Sequence, residues 1–432
     1  MTYKLGIRRE DKNKWERRVP LTPENVKKFY ESDDINTIIQ PSKIRIFSDE
    51  EYIAAGADVN EDLSSSSVIF AIKEIPIDFF EQGKTYVFFS HTIKGQKNNM
   101  PMLKKMMELG CNLIDYEKIT DSNGRRLVFF GRYAGIVGMI DTLWAYGQRM
   151  KVKGINTPLS EIKQTIYYKD LNEAKHHLNK ISNNIKKEGF PDSIGPVVIG
   201  LAGYGNVSKG AQEIIDILPF EEIEPSQLKS IHLNPSNKNI YKVIFKEKDM
   251  VERISNEKDF SLQEYFTQPN LYRSVFHKYV PFISILMNCI YWNKQYPRLI
   301  TKDYLKNNYS KNFKLQIVGD ISVDINGAIE FTEKVTTPDN PVFTYAPMKS
   351  NIIDGYNGDG IVVMAVDNLP CEVPKDSSQA FNDSLIPFIP SIVKADFSVD
   401  FKDLNLPPEI KKAVILYHGK LTPAYEYLND FL

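Results

Sequence analysis

The chain of 432 residues is 42% hydrophobic and 12% aromatic, so it can bury more than one core and is predicted to form two globular domains. Its 54 basic and 55 acidic residues nearly cancel, which argues against nucleic acid or an anionic membrane as a partner and favours small molecules. Cys111, Cys289 and Cys371 have neither disulfide nor metal-ligand spacing, so we expect a reducing compartment and no bound metal. No apolar signal core opens the sequence, its first residues are too acidic for a transit peptide, and its longest apolar stretch, 281–292, is too short to span a bilayer.

Residues 1–134 alternate predicted strands with predicted helices. The strands are YKLGIRRE, NTIIQPS, SVIFAIKE, TYVFFSH and CNLIDYEKI, and the helices lie around LTPENVKKFY, DEEYIAAG and NMPMLKKMMELG. This alternation indicates an α/β domain built on a largely parallel sheet.

Two of these strands end in side chains that can move protons. SVIFAIKEIP is apolar up to Lys73 and Glu74 before Pro76 closes it, and TYVFFSH brings His91 to its tip. Because the tips of parallel strands line a common crevice, we expect Lys73 and His91 to face one cleft. Taken alone, His91 is better explained as a histidine whose hydrogen bonds are satisfied under a loop. Lys73 and Glu74 at the end of the other strand favour a functional site.

The stretch from 135 to about 190 is helical, beginning with GIVGMIDTLWAYGQRM, which predicts a buried helix between two domains. GPVVIGLAGYGNVSKGAQEIIDIL then has the strand–turn–helix pattern of a dinucleotide fingerprint, with Gly203 and Gly205 in the turn. Glycines there let a pyrophosphate approach the backbone and rest on the helix N-terminus. Ser208 stands where the third glycine belongs, so a tight turn without a ligand is the alternative.

A later strand, KLQIVGDISVD, ends in Asp320, Ser322 and Asp324, where the carboxyl edge of a sheet would face a cofactor. The alternative is that these acids cap a turn. After GIVVMAVDNLP, a helix beginning at KDSSQAFNDSL is expected to return to the first domain.

Nine ordered segments resemble one known family over essentially the whole chain. They are LGIRREDKNKWERRVPLTPENV, AIKEIP, FFSHTIKGQ, LIDYEKITDSNGRRLVFFGRYAGIVGMID, GNVSKGAQEI, MNCIYW, PRLIT, GDISVD and VDNLPCEVP. The family is the lysine-ketoglutarate reductase domain of the bifunctional aminoadipic semialdehyde synthase, and the chain is more distantly similar to lysine-forming saccharopine dehydrogenase and alanine dehydrogenase. The resemblance implies the first step of lysine degradation, reductive condensation of L-lysine with 2-oxoglutarate to saccharopine using NADPH.

The resemblance also implies roles for residues of the first domain. Lys73 and His91 are expected to be the acid–base pair, and Glu74 and Glu117 to tune it or simply to form salt bridges. Saccharopine carries three carboxylates, and Arg18 matches the substrate arginine of the wider family. Additional cation candidates for the substrate are Lys94 and Arg126.

On the cofactor side, the resemblance implies a diphosphate site and a nicotinamide site. The diphosphate residues are Gly203, Tyr204, Gly205, Asn206 and Val207, and the nicotinamide residues are Asp320, Ile321 and Ser322. Glu224 lies 21 positions past Gly203, where an acid usually holds the ribose hydroxyls and would repel a 2′-phosphate. This acid favours NAD(H), whereas the resemblance favours NADPH, and we keep NADPH as the expectation.

The expected architecture is two Rossmann-like α/β domains with mostly parallel sheets and an active-site cleft between them. Residues 1–134 and 371–432 form the discontinuous catalytic domain, and residues 135–370 form the dinucleotide-binding domain. The alternatives are an NAD-dependent lysine-forming saccharopine dehydrogenase and a non-catalytic nucleotide-binding regulatory module, and the presence of Lys73, His91 and Arg18 together disfavours the latter.

The family's bifunctional members carry a further saccharopine dehydrogenase domain. The chain is therefore expected to be either a monofunctional cytoplasmic enzyme with a separate saccharopine dehydrogenase, or an excised domain of a fused, mitochondrial one. Homo-oligomers are compatible with the sequence, which does not fix the oligomeric state.

Overall fold

The computed structural model describes residues 3–231, 233, 235–255, 259–310 and 312–432. The chain divides into two compact units, Met1–Phe130 with Pro374–Leu432 (unit 1) and Gly131–Val373 (unit 2). The sequence-based boundaries at 134 and 371 differ from these by a few residues, because the long helix that opens unit 2 already begins at Gly131.

The strands of the described residues are numbered in chain order. They are β1 (Tyr3–Ile7), β2 (Ile35–Ile39), β3 (Asp58–Val59), β4 (Val68–Phe70), β5 (Thr85–Phe88), β6 (Asn112–Asp115), β7 (Val198–Ala202), β8 (Phe220–Glu222), β9 (Ile240–Phe245), β10 (Val251–Arg253), β11 (Tyr272–Ser274), β12 (Ile285–Asn288), β13 (Ile317–Asp320), β14 (Val342–Ala346), β15 (Asn351–Asp354), β16 (Ile361–Met364), β17 (Val414–Tyr417) and β18 (Lys420–Leu421).

The α-helices of the same residues are α1 (Pro23–Ser32), α2 (Asp49–Ala54), α3 (Met100–Glu108), α4 (Gly131–Val152), α5 (Leu171–Glu188), α6 (Asn206–Ile215), α7 (Glu247–Met250), α8 (Leu262–Thr267), α9 (Lys302–Asn308), α10 (Pro374–Leu385), α11 (Ile389–Val393) and α12 (Pro408–Lys411). Short 3₁₀ helices include Tyr116–Lys118, Asp192–Ile194 and Leu369–Glu372. No helix in the described ranges has the length and apolar character needed to cross a bilayer.

Unit 1 is built on a sheet of order β18-β17-β6-β5-β4-β1-β2-β3. The pairs from β6 to β3 are parallel, and β17 and β18 add an antiparallel edge. The expected strands and helices of this region are confirmed. The carboxyl ends of β1, β4, β5 and β6 therefore meet at one edge of the sheet, which is where the candidate acid–base residues follow.

Unit 2 is built on a second mostly parallel sheet of order β15-β14-β16-β13-β12-β7-β9-β8, so the predicted fold class is confirmed. β8, β9, β7, β12, β13 and β16 run parallel in this sheet, and β14 and β15 add an antiparallel edge. β7 lies at the centre and is buried along its whole length, as a strand covered on both faces must be. The turn after β7 therefore opens at the carboxyl edge, the position of ligand sites in such sheets.

Local sequence explains how two of the helices begin and end. The Ser48 hydroxyl accepts the amide of Glu51 while the Glu51 carboxylate accepts the amide of Ser48, a capping box that starts α2. Asp170 caps α5, and Gly189, with φ of +77°, ends it.

Candidate active site

Lys73 stands just past the end of β4, in a segment held by a buried acid. The amides of Ile72 and Lys73 both donate to the Glu10 carboxylate, at 2.6 and 3.0 Å, and Glu10 follows the neighbouring strand β1. Burial and the nearby Arg18 lower the pKa of the Lys73 amine. Among the described residues, the Lys73 ammonium has no hydrogen-bond or ion-pair partner. The site thus holds an amine that can exchange a proton more readily than an exposed lysine.

His91 follows β5, the strand next to β4, and is fixed by the residue after Lys73. Its Nδ1 lies 2.7 Å from Oε1 of Glu74, whose other oxygen accepts a hydrogen bond from Lys12 at 2.9 Å. Although burial raises it, the pKa of Glu74 is held well below its ordinary value by His91 and Lys12. An ionised Glu74 requires Nδ1 to carry the hydrogen, which leaves Nε2 as the ring nitrogen for a substrate.

The backbone at His91 is unusual for a non-glycine residue. Its φ of +48° lies in the left-handed region, and the Asn99 amide donates to the His91 carbonyl at 3.0 Å. Such a conformation persists only where surrounding contacts hold it, and it is concentrated at functional sites.

Arg18 does not present its fork as the sequence suggested. The side chain is buried, with its Nε and Nη2 atoms 2.7 and 2.5 Å from the two Glu16 oxygens, and its guanidinium lies 4.1 Å from the centre of the Phe130 ring. The Nε/Nη2 edge of the guanidinium is therefore occupied by Glu16. Arg18 also acts on Lys73, whose pKa it lowers together with burial.

The other predicted substrate cations lie at the surface of unit 1. Nη2 of Arg126 donates to Oε1 of Glu117 at 2.7 Å, so the structure brings these two predicted residues together, and the Arg126 side chain remains 48% exposed. Lys94 is exposed in the turn that follows His91. Arg126 and Lys94 are therefore exposed cations near Glu117 and His91, respectively, in the sequence or the structure.

Two buried acids of this site were missed from the sequence, Glu10 and Asp115. Asp115 ends β6, accepts the amide of Ser90 at 3.2 Å and also its hydroxyl, and so anchors the residue before His91. Burial raises the pKa of Asp115 to about 6 and that of Glu10 to about 7. A polar residue ending a strand, the signal that marked Lys73, is also present in LIDYEK and in LGIRRE.

Four aromatic side chains pack together beside His91 and form an apolar wall of the site. Phe89 packs on Tyr116 with centroids 5.1 Å apart, Phe381 stacks on Phe130 at 4.6 Å, and Tyr116 meets Phe381 at 4.9 Å. Such a wall excludes water and lowers the local dielectric, which strengthens every charge interaction in the site.

In unit 2 the glycine turn after β7 has the geometry of a phosphate cradle. Gly203 has φ of +96°, and a Cβ there would meet Ile290 Cγ2 at 3.0 Å, so only glycine fits. Around Gly205 no atom lies within 4 Å of a would-be Cβ, and no side chain caps the N-terminus of α6 that starts at Asn206. The open face and the amides of the first helical turn, including that of Val207, suit an anion.

The departure at Ser208 does not disturb the packing of this turn. Ser208 is buried, and its hydroxyl accepts a hydrogen bond from Gln212 at 3.1 Å. Gly135 in α4 and Gly210 in α6 let these two helices pack closely. A Cβ on either glycine would meet a backbone oxygen of the other helix at 1.9 Å.

The residues expected near a nicotinamide are largely engaged with the protein. The Asp320 carboxylate accepts from Asn288 at 2.8 Å and from Thr332 at 2.6 Å, and burial raises its pKa to about 6. The Ile321 amide donates to the Asn288 carbonyl, and the Ser322 hydroxyl donates to the Ile290 carbonyl. Oδ1 of Asn288, at the carboxyl end of β12, is buried and has no hydrogen-bond partner among the described residues. Asp320 was expected from the sequence to face the nicotinamide, whereas the acceptor left unsatisfied at this edge of the described sheet is Oδ1 of Asn288.

Glu224, the acid expected from the sequence to hold the ribose, lies two strands from β7. It follows β8, the edge strand of the sheet, and its amide donates to the side chain of Gln227. The strand beside β7 is β9, and its carboxyl end is followed by Lys246 and Glu247. Glu247 also interacts with the hydroxyl of Tyr204, which places this strand end beside the glycine turn.

Two family models match the chain. Those for the N-terminal and C-terminal domains of Alanine dehydrogenase/PNT cover residues 6–137 and 274–424. The chain belongs to this family. A solved L-alanine dehydrogenase has the same fold, with a TM-score of 0.65 over 99% of this chain and all of that one, at 16% identity. Family membership makes the chain an oxidoreductase of a class that uses a nicotinamide cofactor.

Curated relatives agree with the resemblance seen in the ordered segments. The alpha-aminoadipic semialdehyde synthase of Arabidopsis thaliana is 37% identical over 441 residues, covering 98% of this chain and 41% of that protein. A saccharopine dehydrogenase [NAD(+), L-lysine-forming] of Yarrowia lipolytica is 25% identical and covers 91% of this chain and 93% of that one. The predicted resemblance is confirmed, and the chain spans less than half the length of its Arabidopsis relative.

Proposed function

We propose that this chain catalyses the reductive condensation of L-lysine with 2-oxoglutarate to saccharopine, using NADPH. The observation that carries the proposal is the pair at the edge of the unit 1 sheet. Lys73 has a lowered pKa and no partner among the described residues, and His91 is locked by Glu74 with Nε2 left for a reactant. The 37% identity to a semialdehyde synthase over 98% of the chain supports the choice of substrates.

The chemistry needs two proton movements that these side chains can perform. Nζ of Lys73, when neutral, accepts a proton from the ε-ammonium of the substrate lysine, which then attacks the ketone carbon of 2-oxoglutarate. The resulting alkoxide takes one proton from the attacking nitrogen to give the carbinolamine. His91 in its protonated form then donates its Nε2 proton to that hydroxyl, which leaves as water and gives the protonated imine. NADPH, when bound, supplies the hydride that reduces the imine to the secondary amine of saccharopine.

The ionised Glu74 serves this sequence by holding the imidazole and stabilising its protonated form. Glu10 and Asp115 fix the backbone of the two strand ends, so that each proton carrier stays in place. Arg126 and Lys94 would pair with substrate carboxylates, with Glu117 orienting Arg126, while Arg18 keeps the Lys73 pKa low.

The residues of unit 2 fit a nicotinamide dinucleotide. The open face of Gly205 and the uncapped amides of α6 would hold the diphosphate. The orphaned Oδ1 of Asn288 would accept a hydrogen bond from the carboxamide. Lys246, exposed at the end of β9, is the cation that a 2′-phosphate would meet, which favours NADPH over NADH.

The test is the loss of NADPH absorbance across substrate pairs. Consumption should require lysine and 2-oxoglutarate together, because neither alone forms the imine. Pyruvate with ammonia should fail, since that pair lacks the extra carboxylates of saccharopine. Comparable rates with pyruvate and ammonia, or NADPH oxidation without lysine, would refute the assignment.

Two variants connect the assay to the site. Lys73→Met and His91→Gln should each lower kcat by roughly 10²- to 10⁴-fold, the usual contribution of a positioned acid or base. NADPH affinity, measured by fluorescence titration, should stay unchanged in both. Near-parental turnover in both variants would make these residues structural.

A further inference from the structure

Unit 2 contains a cavity of about 250 Å³ at the amino edge of its parallel sheet. Ser284 and Gln316 in its wall precede β12 and β13, and Ile194 in the 3₁₀ helix precedes β7. The glycine turn and Asn288 lie at the opposite, carboxyl ends of the same strands. The cavity is therefore separate from the nucleotide site. We propose that it binds a small organic carboxylate, held by the ammonium groups of Lys314 and Lys153.

The first step concerns Lys314, whose charge is not balanced. Its ammonium donates to the Ile194 carbonyl at 2.6 Å and forms no ion pair with any described residue. Burial alone lowers its pKa to about 8, with no neighbouring charge acting on it. At neutral pH the side chain is still largely protonated, so a partly buried cation lines the cavity without an ion-pair partner in the described part of the chain. An anion there would relieve this cost.

The second cation, Lys153, lies in the wall of the same cavity. The Lys153 ammonium donates to Oε1 of Gln316 at 2.5 Å, and burial together with Arg149 lowers its pKa. The Arg149 guanidinium donates only to backbone carbonyls in the described residues, including those of Tyr356 and Gly360. Asp359 acts on both Lys153 and Arg149. The local positive charge exceeds the negative charge.

Asp359 cannot balance this cluster by itself. Its carboxylate accepts a hydrogen bond from the neutral Tyr309 hydroxyl at 2.7 Å. Asp359 acts on Lys153 and Arg149, and no neighbouring charge in the described residues acts on Lys314. The cavity is left with an excess of positive charge for an exogenous anion to neutralise.

The remaining wall explains why the anion should be organic. Met150, Ile155, Ile194 and Phe313 give the cavity an apolar side that inorganic phosphate could not use. The volume holds roughly eight water molecules, which is the size of a four- to six-carbon acid. Such a molecule can lay its methylenes on this wall and direct its carboxylates at the two lysines.

The experiment measures protection of the two lysines from an amine-acetylating reagent, read by mass spectrometry on the whole chain. Glutarate is the probe, because it is a five-carbon dicarboxylate without a ketone to react. At about four times its Kd it should slow acetylation of Lys314 and Lys153 about fivefold. Exposed Lys27 should react at its original rate. Sodium chloride at the same ionic strength is the matched control.

Three results would overturn the proposal: no protection at saturating glutarate, equal protection by chloride, or protection by inorganic phosphate and not by glutarate. In Lys314→Met the protection of Lys153 should be lost, and its persistence would show that the two ammonium groups do not hold one ligand. Lys314→Arg, which keeps the charge, should retain it. Acetylation of Lys73 in the same spectra reports glutarate binding at the unit 1 site. The NADPH assay tests the proposed catalytic function, so failure of that function and failure of the cavity proposal are distinguished.

Discussion

At the scale of single residues, Arg18 and Arg126 show what a motif can and cannot predict. Both arginines precede apolar segments in the sequence, and the resemblance favoured Arg18 as the substrate ligand. The structure places Arg18 on Glu16, where both partners are buried, whereas Arg126 is 48% exposed beside Glu117. Which arginine is paired internally depends on a partner two residues away and on burial, and neither follows from residue type.

The two arginines should therefore fail in different ways. Arg18→Ala leaves the Glu16 carboxylate buried without its partner, which costs about 3–5 kcal/mol and should lower the Tm markedly. Arg126→Gln should keep the parental Tm and raise KM for 2-oxoglutarate at least about tenfold, the value of one lost carboxylate contact.

The matched control for Arg126 is its neighbour Arg125, which pairs with Asp121 at the surface. Arg125→Gln should leave Tm and both KM values unchanged in steady-state assays and thermal melts. If Arg126→Gln also left both KM values unchanged, the substrate-binding role would be wrong.

At the scale of elements, the sequence predicted the strands of unit 1 well because alternating apolar residues and turn signals are local. It also predicted that Lys73 and His91 share an edge, since β4 and β5 are neighbouring parallel strands. It did not predict which acid follows the strand beside β7. A count of 21 positions led to Glu224, which follows the short edge strand β8. The strand beside β7 is β9, and we expect the ribose at its end, near Lys246 and Glu247.

This strand order gives a prediction about cofactor choice. Lys246→Ala should raise KM for NADPH about tenfold, since a lost charge-assisted contact costs about 1.4 kcal/mol or more, and it should leave KM for NADH unchanged. Glu224→Gln is the control and should change neither value. If Glu224→Gln improved NADPH use while Lys246→Ala had no effect, the count in the sequence would be right and the placement by strand order wrong.

At the scale of the whole molecule, buried carboxyl groups recur in both units. Glu10, Asp115, Asp141, Asp320 and Glu372 all have a pKa that burial raises above its ordinary value. Each binds its proton more tightly in the folded chain than in the unfolded chain. Their contribution to stability is therefore full at acid pH and is lost as pH rises through the folded values, about 6 to 7 where these are defined.

Asp141 and Glu372 form the clearest pair among these groups. Asp141 lies in α4 and Glu372 in the 3₁₀ helix packed on it, and the two side chains face each other. Oδ1 of Asp141 accepts two hydrogen bonds from Thr165, at 2.8 and 2.9 Å, while Oδ2 and both Glu372 oxygens are buried. Two carboxyl groups can hydrogen-bond only if one keeps a proton, and Glu372, with the pKa raised well above its ordinary value, keeps it.

The pH dependence of melting should report this pair. Burial raises the pKa of Asp141 from 3.8 to about 6, so its ionisation costs the fold about 3 kcal/mol between these values. Asp141→Asn keeps the acceptor for Thr165 and removes that cost, so the Tm gain over the parent should grow from pH 4 to pH 7. Glu372→Gln mimics the protonated acid and removes the titration of Glu372, so its Tm gain over the parent should also grow as pH rises above the ordinary glutamate pKa of 4.5. A Tm difference between Asp141→Asn and the parent that stays constant with pH would show that Asp141 does not titrate in this range.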